Sequence, residues 1–377
     1  MKILIAPDKF KGSLTANEAA QAIHQGLVAS GLDFIPTIVP MADGGEGTFE
    51  LLTQHSGGQK ITTQVQDPLG RIIDASYGIS HDQKIAFIEM AAASGLSLLK
   101  DHERSPDNTH TVGTGQLIRH ALASGVQTIV LGIGGTATND AGIGIAYALG
   151  ARFYDASYRE LKPIGSNLIH IASLDVTGMN PLLKQVKVIA LCDVDNPLWG
   201  VQGAAWQFAT QKGGDEDTIK LLDDGLQSFA SIARNQFHCD INFPGAGAGG
   251  GVAGGIKLFF NSELKSGTTF MLDFLNVENM IMECDLVISG EGKLDSQTLS
   301  GKVIHGLAQL CLKHKKPLYA VVGKNELTDA QLEQVSVKHA LTLNSLVLPG
   351  KEIMKHAHDY VKHVTQYDLV PLIKTEI

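Results

Sequence analysis

Several things this 377-residue chain has little of narrow what it can be. Prolines number only 12 and glycine follows no three-residue period, which excludes collagen and low-complexity linkers. The four cysteines, Cys192, Cys239, Cys284 and Cys311, form no C-x-x-C pair, and their spacing suggests neither a zinc site nor a disulfide framework. They read as reduced thiols of a cytoplasmic protein. No apolar run approaches the about 18 residues of a membrane helix, and the opening MKILIAPDKFKGS suits a strand better than a signal peptide. Positive charge is scarce: 30 Lys and Arg face 39 Asp and Glu, for a net charge of −9. The one short basic cluster, Lys313–Lys316, fits a helix C-terminus, so no nucleic-acid partner is expected. There is no G-x-S-x-G elbow and no H-E-x-x-H pair, and His110 and His305 read as ordinary polar residues. A P-loop is missing too: Ser296 stands where Gly301-Lys302 would need its first glycine, and Val303 follows in place of Ser or Thr.

Glycine, by contrast, is plentiful, at 41 residues or about 11% against roughly 7% in average proteins. With 44% hydrophobic and 18% charged residues the chain can bury large cores, and its length predicts two domains at roughly 100–200 residues each. The excess glycine therefore belongs inside folded structure.

The pattern opens as β-α-β-α. Lys2–Ala6 reads as a strand; Thr15 with Glu18 three residues on is a capping box for a helix to about Ala29, ended by Gly31. Phe34–Pro40 is a second strand and Thr48–His55 a helix. Ile61–Gln66 and Arg71–Ile79 flank the turn Asp67-Pro68-Leu69-Gly70, and Lys84–Ala91 adds a third strand, so a meander marks a change of domain near residue 60. Helix 113–124, strand Gln127–Leu131, helix Gly142–Leu149, strand Val186–Leu191 and a surface helix Asp217–Arg234 follow. The stretch FLNVENMIM, with Met280 and Met282, reads as core. Alternation returns with strand Asp285–Ser289, helix Lys302–His314, strand Pro317–Val322, helix Asp329–Gln334, strand His339–Val347 and helix Glu352–Val364. The expected architecture is α/β: a discontinuous parallel-sheet domain (1–60 with 280–377) holding a larger mixed α/β domain (61–279), with no internal repeat.

The densest glycine block, 245–255, satisfies G-x-G-x-x-G twice, but no strong strand precedes it. Close packing of small residues and a backbone nest for phosphate fit it equally well. Five other blocks place acids at expected strand ends, most of them beside glycine, Ser, Thr or Asn: 6–13, 42–48, 132–140, 192–197 and 289–295. Ligands of open parallel sheets bind outside the carboxyl ends of strands, so five such loops predict a polar cleft. Phosphoryl transfer needs what they offer: backbone N–H groups for phosphates, carboxylates for a hard divalent ion, lysines for spreading charge and a carboxylate near the attacking hydroxyl. Asp193 and Asp195, two apart, and Glu291 with Asp295 are the acidic pairs suited to Mg²⁺. Two alternatives are an NAD(P)-dependent oxidoreductase of a small hydroxy acid, using 245–255, and a non-catalytic hydroxy-acid sensor.

The blocks IAPDKFKGSLTA (5–16), ADGGEGT (42–48), AFIEMAAASGL (86–96), GTGQLI (113–118), GIGGTATNDAG (132–142), CDVDNPL (192–198), PGAGAGGG (244–251) and DLVISGEGKLDSQT (285–298) closely resemble, in order, those of the bacterial type I glycerate kinases, the glycerate 2-kinase family. The resemblance implies a cytoplasmic enzyme that phosphorylates D-glycerate with ATP and Mg²⁺ to give 2-phosphoglycerate. It also implies two α/β domains around a cleft that holds the active site, one of them discontinuous and Rossmann- or flavodoxin-like. Neither a nucleic acid nor a membrane is an expected partner, and a homo-oligomer is left open. The candidate residues follow. Asp43 is the expected base, ahead of Asp193, and Lys11 is also placed in the catalytic set. Lys11, Lys9 and Ser13 would take the glycerate carboxylate, with Thr136, Asn139 and Asp140 also binding substrate. Gly247, Gly249, Gly250, Lys293 and Lys302 would meet the ATP phosphates; Asp193, Asp195, Glu291 and Asp295 would hold the metal. Lys9 and Lys293 stand where the family often has Ser and Arg, and Val112 replaces a frequent Arg.

Overall fold

A computed structural model describes residues 1–45, 47–260, 262–295, 298, 302–343 and 354–376. Glu46 of the second block, Ser296 and Gly301, and the expected strand and helix segments across 344–353 lie outside the described residues. The chain forms two compact units, Met1–Asp43 with Thr268–Ile377, and Gly44–Gly267. In chain order the strands are β1 (Lys2–Ile5), β2 (Ile35–Ile38), β3 (Gln59–Gln66), β4 (Ile72–Ile79), β5 (Ile85–Glu89), β6 (Thr128–Gly132), β7 (Arg152–Tyr154), β8 (Ser173–Asp175), β9 (Lys187–Leu191), β10 (Ser262–Lys265), β11 (Leu286–Leu294), β12 (Leu318–Asn325) and β13 (His339–Thr342).

The first unit is a parallel sheet in the order β13-β12-β11-β1-β2. Counted in order of appearance within the unit this is 2-1-3-4-5, the flavodoxin-like order, whose switch point falls between β1 and β11. The sheet forms because Ile3–Ile5, Leu286–Ile288 and Leu318–Val322 are unbroken apolar runs, buried throughout as sheets covered on both faces require. Helix Ala16–Ala29 supplies Ala19, Ala20, Ile23 and Leu27 to one core cluster, together with Val361 and Val364 of helix Ala357–Val364. It begins as the spacing predicts: Thr15 Oγ1 accepts from the Glu18 N–H, and the Glu18 carboxylate accepts from the Thr15 N–H at 2.8 Å. Thr15→Ala is expected to cost about 1 kcal/mol, lowering the melting temperature of this unit by roughly 2–4 °C in a thermal scan; an unchanged midpoint would deny the cap its role.

One boundary differs in a way that matters. The block 289–295 is not a loop after a short strand, because β11 continues to Leu294, pairing Glu291 with Val322 and Lys293 with Lys324 of a similarly extended β12. The glycines permit this: a Cβ on Gly290 would lie 2.5 Å from the Val321 carbonyl oxygen, and one on Gly323 2.4 Å from that of Gly292. Met282, read as core, is exposed, while Leu275, Val277 and Ile281 of the same stretch are buried.

The second unit carries a mixed sheet, β10-β9-β6-β5-β4-β3. The expected meander is its antiparallel half, with β3, β4 and β5 in sequence, and β5, β6, β9 and β10 run parallel. The small β7–β8 pair and β10 have weak sequence signals and were not expected. Residues 238–244, before the glycine block, form no strand. The block itself runs into helix Ala248–Phe259, whose Gly249, Gly250 and Gly251 all have positive φ.

Candidate active site

The order of strands in the first unit brings three carboxylates to one end of the sheet. Beyond the strand ends the backbone ladder continues, with the Asp8 N–H donating to Gly290 O and the Met41 N–H to Pro7 O, both at 2.8 Å. Asp8 thus leaves β1, Asp43 follows β2 and Glu291 lies on β11, three adjacent parallel strands of which β1 and β11 flank the switch point. Asp8 and Glu291 are each only 4% exposed.

Their electrostatics follow from that crowding. Burial, with the charges of Asp43 and Glu291 added, pushes the Asp8 carboxyl up to about 7, against the opposing pull of the Lys9 N–H at 2.6 Å and the Lys9 charge. Burial likewise pushes Glu291 up to about 7, although the Thr298 hydroxyl donates to its Oε1 at 2.7 Å and Lys302 lowers it; Asp295 and Asp43 raise it. Asp43 is the less enclosed member, half-buried, and its charge acts on both. Burial makes Asp8 and Glu291 poor anions, the condition under which an acidic site accepts a cation or a proton.

The remaining first-unit candidates surround this end to differing degrees. Lys302 immediately precedes helix Val303–His314. Lys293 is engaged by Glu326 at 2.8 Å and Asp295 at 3.4 Å. Asp295 turns back through its N–H to Thr298 Oγ1 at 3.3 Å. In the turn after β1, Lys11 is exposed, Lys9 and Ser13 are half-buried, and Ser13 Oγ donates to Phe10 O.

In the second unit the loops also follow parallel strands. Asp193 and Asp195 are exposed in the segment after β9, and Asp193 Oδ1 accepts from the Gly267 N–H at 2.9 Å. The four expected metal ligands therefore divide two and two between the units. Among the described residues no set of three His, Cys, Asp or Glu side chains is poised to hold a metal unaided. The Cys192 thiol is pushed up to about 11, mainly by burial, so it stays protonated at neutral pH.

Two expected groups of this unit have well-defined structural surroundings. Asp140, expected to bind substrate, is fully buried and its oxygens are occupied by the protein. Oδ2 accepts from the Thr111 N–H and hydroxyl at 2.8 Å each and from Gly144, and Oδ1 accepts from Gly142. It anchors the starts of helices Val112–Ala123 and Ile143–Ala148, as short acids at helix N-termini do. Gly247, Gly249 and Gly250, expected to meet the ATP phosphates, press their α-carbons against neighbouring backbone. A Cβ at Gly247 would meet Pro197 O at 2.4 Å, at Gly249 Ile133 O at 2.9 Å and at Gly250 Thr138 O at 2.1 Å. The glycine block is the floor on which loop 133–141 lies, held further by Ala141 N–H to Gly250 O. Lacking a preceding strand as well, it is no dinucleotide fingerprint either.

Sequence reasoning passed over two residues. Asp8 sits inside a quoted block, but only the pairing of β1 with β11 shows it buried beside Glu291. Lys212, in the polar run TQKGGDED, is fully enclosed: its Nζ donates to Thr138 O at 2.7 Å and Thr136 Oγ1 at 3.2 Å. Burial pulls it down to about 8, with the Asp140 charge opposing. Next to it, the Thr138 hydroxyl and both amide atoms of the fully buried Asn139 have no hydrogen-bond partner among the described residues. No sequence signal marks a lysine in such a run as interior.

Comparison with known proteins agrees along the whole chain. The model of the glycerate kinase family matches residues 3–370. A glycerate 2-kinase of Escherichia coli (strain K12) is 45% identical over 330 residues, 87% of this chain and 86% of the relative. A glycerate kinase of Bacillus subtilis (strain 168) is 39% identical over 377 residues, 99% of this chain and 98% of the relative. A solved structure described as a glycerate kinase 2 from Salmonella typhimurium LT2 superposes with a TM-score of 0.88 at 38% identity, covering 100% of this chain and 99% of that one. No described helix is long and apolar enough to cross a membrane.

Proposed function

The chain belongs to the glycerate kinase family and is an enzyme, and from that premise we propose that it transfers the γ-phosphoryl group of ATP to the C2 hydroxyl of D-glycerate, giving 2-phosphoglycerate and ADP in the cytoplasm. The observation that carries the chemistry is the gathering of Asp8, Asp43 and Glu291 at the switch point of the flavodoxin-like sheet, with Asp8 and Glu291 raised to about 7. That is where an open α/β sheet binds its ligand, and the excess of negative charge suits a hard cation.

Asp43, the most accessible of the three, is the group assigned to orient the acceptor hydroxyl and take its proton. One or two carboxylates with the nucleotide's own oxygens suffice for Mg²⁺, and Glu291 with Asp8 or Asp295 would supply them; Asp193 and Asp195 stand exposed in the other unit. When bound, Mg²⁺ supplies neutralisation of phosphate charge, taking one or two carboxylates and the nucleotide's own oxygens as it commonly does. Lys302, at the N-terminus of helix Val303–His314, adds a cation where the helix dipole already favours phosphate. It suits this role better than Lys293, which Glu326 and Asp295 engage. Lys11 and Ser13, with Lys9, are assigned to the glycerate carboxylate, Lys11 being exposed to do so.

Incubation with ATP, Mg²⁺ and D-glycerate followed by ³¹P NMR tests this directly. A single new phosphomonoester at the 2-position is expected. Unchanged ATP would sink the kinase assignment, and a 3-phosphoglycerate signal would sink only the regiochemistry.

A further inference from the structure

Loop 133–140 of the second unit holds an arrangement that the carboxylate site does not use. Gly134 and Gly135 are exposed, a Cβ on Gly134 would meet nothing within 4 Å, and Gly135 has φ +69°. The loop is held from one side by one carbonyl and one N–H: Leu96 N–H donates to Gly135 O, and the loop's Ala137 N–H donates to Ser94 O. The backbone N–H groups of Gly134, Gly135 and Thr136, three in a row, have no acceptor among the described residues. Behind them lies Lys212. Of its three N–H donors, two go to Thr138 O and Thr136 Oγ1. The Thr136 hydroxyl, accepting from the ammonium, keeps its own proton to give away. The Thr138 hydroxyl and the Asn139 amide, enclosed and unpaired, are the further sign that this loop lacks a partner.

We infer that the N–H groups of Gly134, Gly135 and Thr136 form an oxyanion site, and that Lys212 is its positioning residue, fixing the loop and the Thr136 hydroxyl while lending the site a buried positive charge. Successive backbone N–H groups make an anion-binding concavity, and a cation taken out of water beneath them strengthens it. In this enzyme the oxyanion is either the carboxylate of the hydroxy acid or a phosphate of the nucleotide. The assignment to one of these rests on the kinase reading above; the anion site itself does not.

Two measurements decide it. Lys212→Met keeps the stem and removes the charge. It is expected to raise KM about tenfold for whichever substrate supplies the oxyanion, with kcat within about threefold, where a merely structural loss would lower stability and spare the KM values. In the wild-type enzyme, hydrogen exchange of peptides spanning 132–138 is expected to slow with that same ligand. Slowing and a KM effect with D-glycerate identify a carboxylate; with MgATP they identify a phosphate. If both KM values stay within twofold, or neither ligand slows exchange, the inference fails. Should Lys212→Met not fold, Thr136→Val removes the hydroxyl at nearly constant shape and carries the same expectation. If the wild-type protein proves not to consume ATP with glycerate, the kinase reading falls, yet slowed exchange across 132–138 with inorganic phosphate alone still upholds the site, and unslowed exchange ends it.

Discussion

Asp43→Asn is expected to lower kcat by ~10²–10⁴-fold while leaving the KM for D-glycerate within about threefold. Asparagine keeps the size and the hydrogen-bonding reach of the side chain but cannot accept a proton. The substitution also removes a charge that helps hold Asp8 and Glu291 up at about 7. Both should then ionise at lower pH, so the acid limb of the residual kcat/KM profile moves toward acid. Steady-state rates in a coupled ADP assay, taken across a range of Mg²⁺ concentrations, separate the roles. A deficit that excess Mg²⁺ does not repair is the mark of a base. A deficit that Mg²⁺ repairs would make Asp43 a metal ligand, and a near-wild-type kcat with both substrates bound would remove it from the chemistry.

Asp8→Asn should abolish most activity, by ~10²-fold or more, and yet stabilise the metal-free protein at pH 8. The folded-state carboxyl sits at about 7 against an ordinary 3.8. Between those values the unfolded chain has lost its proton and the folded one has kept it, so the folded state binds more protons and stability falls as pH rises through the window. Above about 7 the penalty is complete. The gap from 3.8 to about 7 amounts to about 4 kcal/mol at about 1.4 kcal/mol per pH unit, an upper figure. Relaxation around the ionised group leaves about 1–3 kcal/mol for the amide to recover. A gain of roughly 3–10 °C in melting temperature at pH 8 follows, with little change at pH 4, where Asp8 is protonated in the folded state. Added Mg²⁺ should stabilise the wild type at pH 8 and do so much less for the variant. Thermal scans at both pH values with and without Mg²⁺ check this; a variant less stable at pH 8, or one with an undiminished Mg²⁺ response, would refute the account.

Glycine illustrates how far the chain could be read unaided. The sparse acidic blocks pointed to strand ends; Asp43 does follow β2, whereas Glu291 lies within β11, close enough to feel the Asp43 charge. The dense block 245–255 fitted close packing and a phosphate nest equally well from sequence, and the close backbone approach is what the structure displays, because what lies across from a glycine is set by distant segments. For Gly250 that is Thr138 O, more than 100 residues away in the chain. The surroundings of Asp140 are hidden from the sequence for the same reason: its partners Thr111, Gly142 and Gly144 make it an internal brace.

What depends on neighbours in sequence was legible from the residues: the Thr15–Glu18 cap, the helix Thr48–His55, the turn at Asp67–Gly70 and the return of β/α alternation near the C-terminus. These are set by hydrogen bonds and hydrophobic periods that span a few residues. The depth of Asp8, the extension of β11 through Glu291 and the enclosure of Lys212 belong to the tertiary structure alone. Burial and charge at those sites come from segments distant in the chain: the Asp8 N–H meets Gly290 O, and Lys212 meets Thr136 and Thr138. A carboxylate becomes a site with a raised pKa only when strands from opposite ends of the chain pair side by side and take the water away.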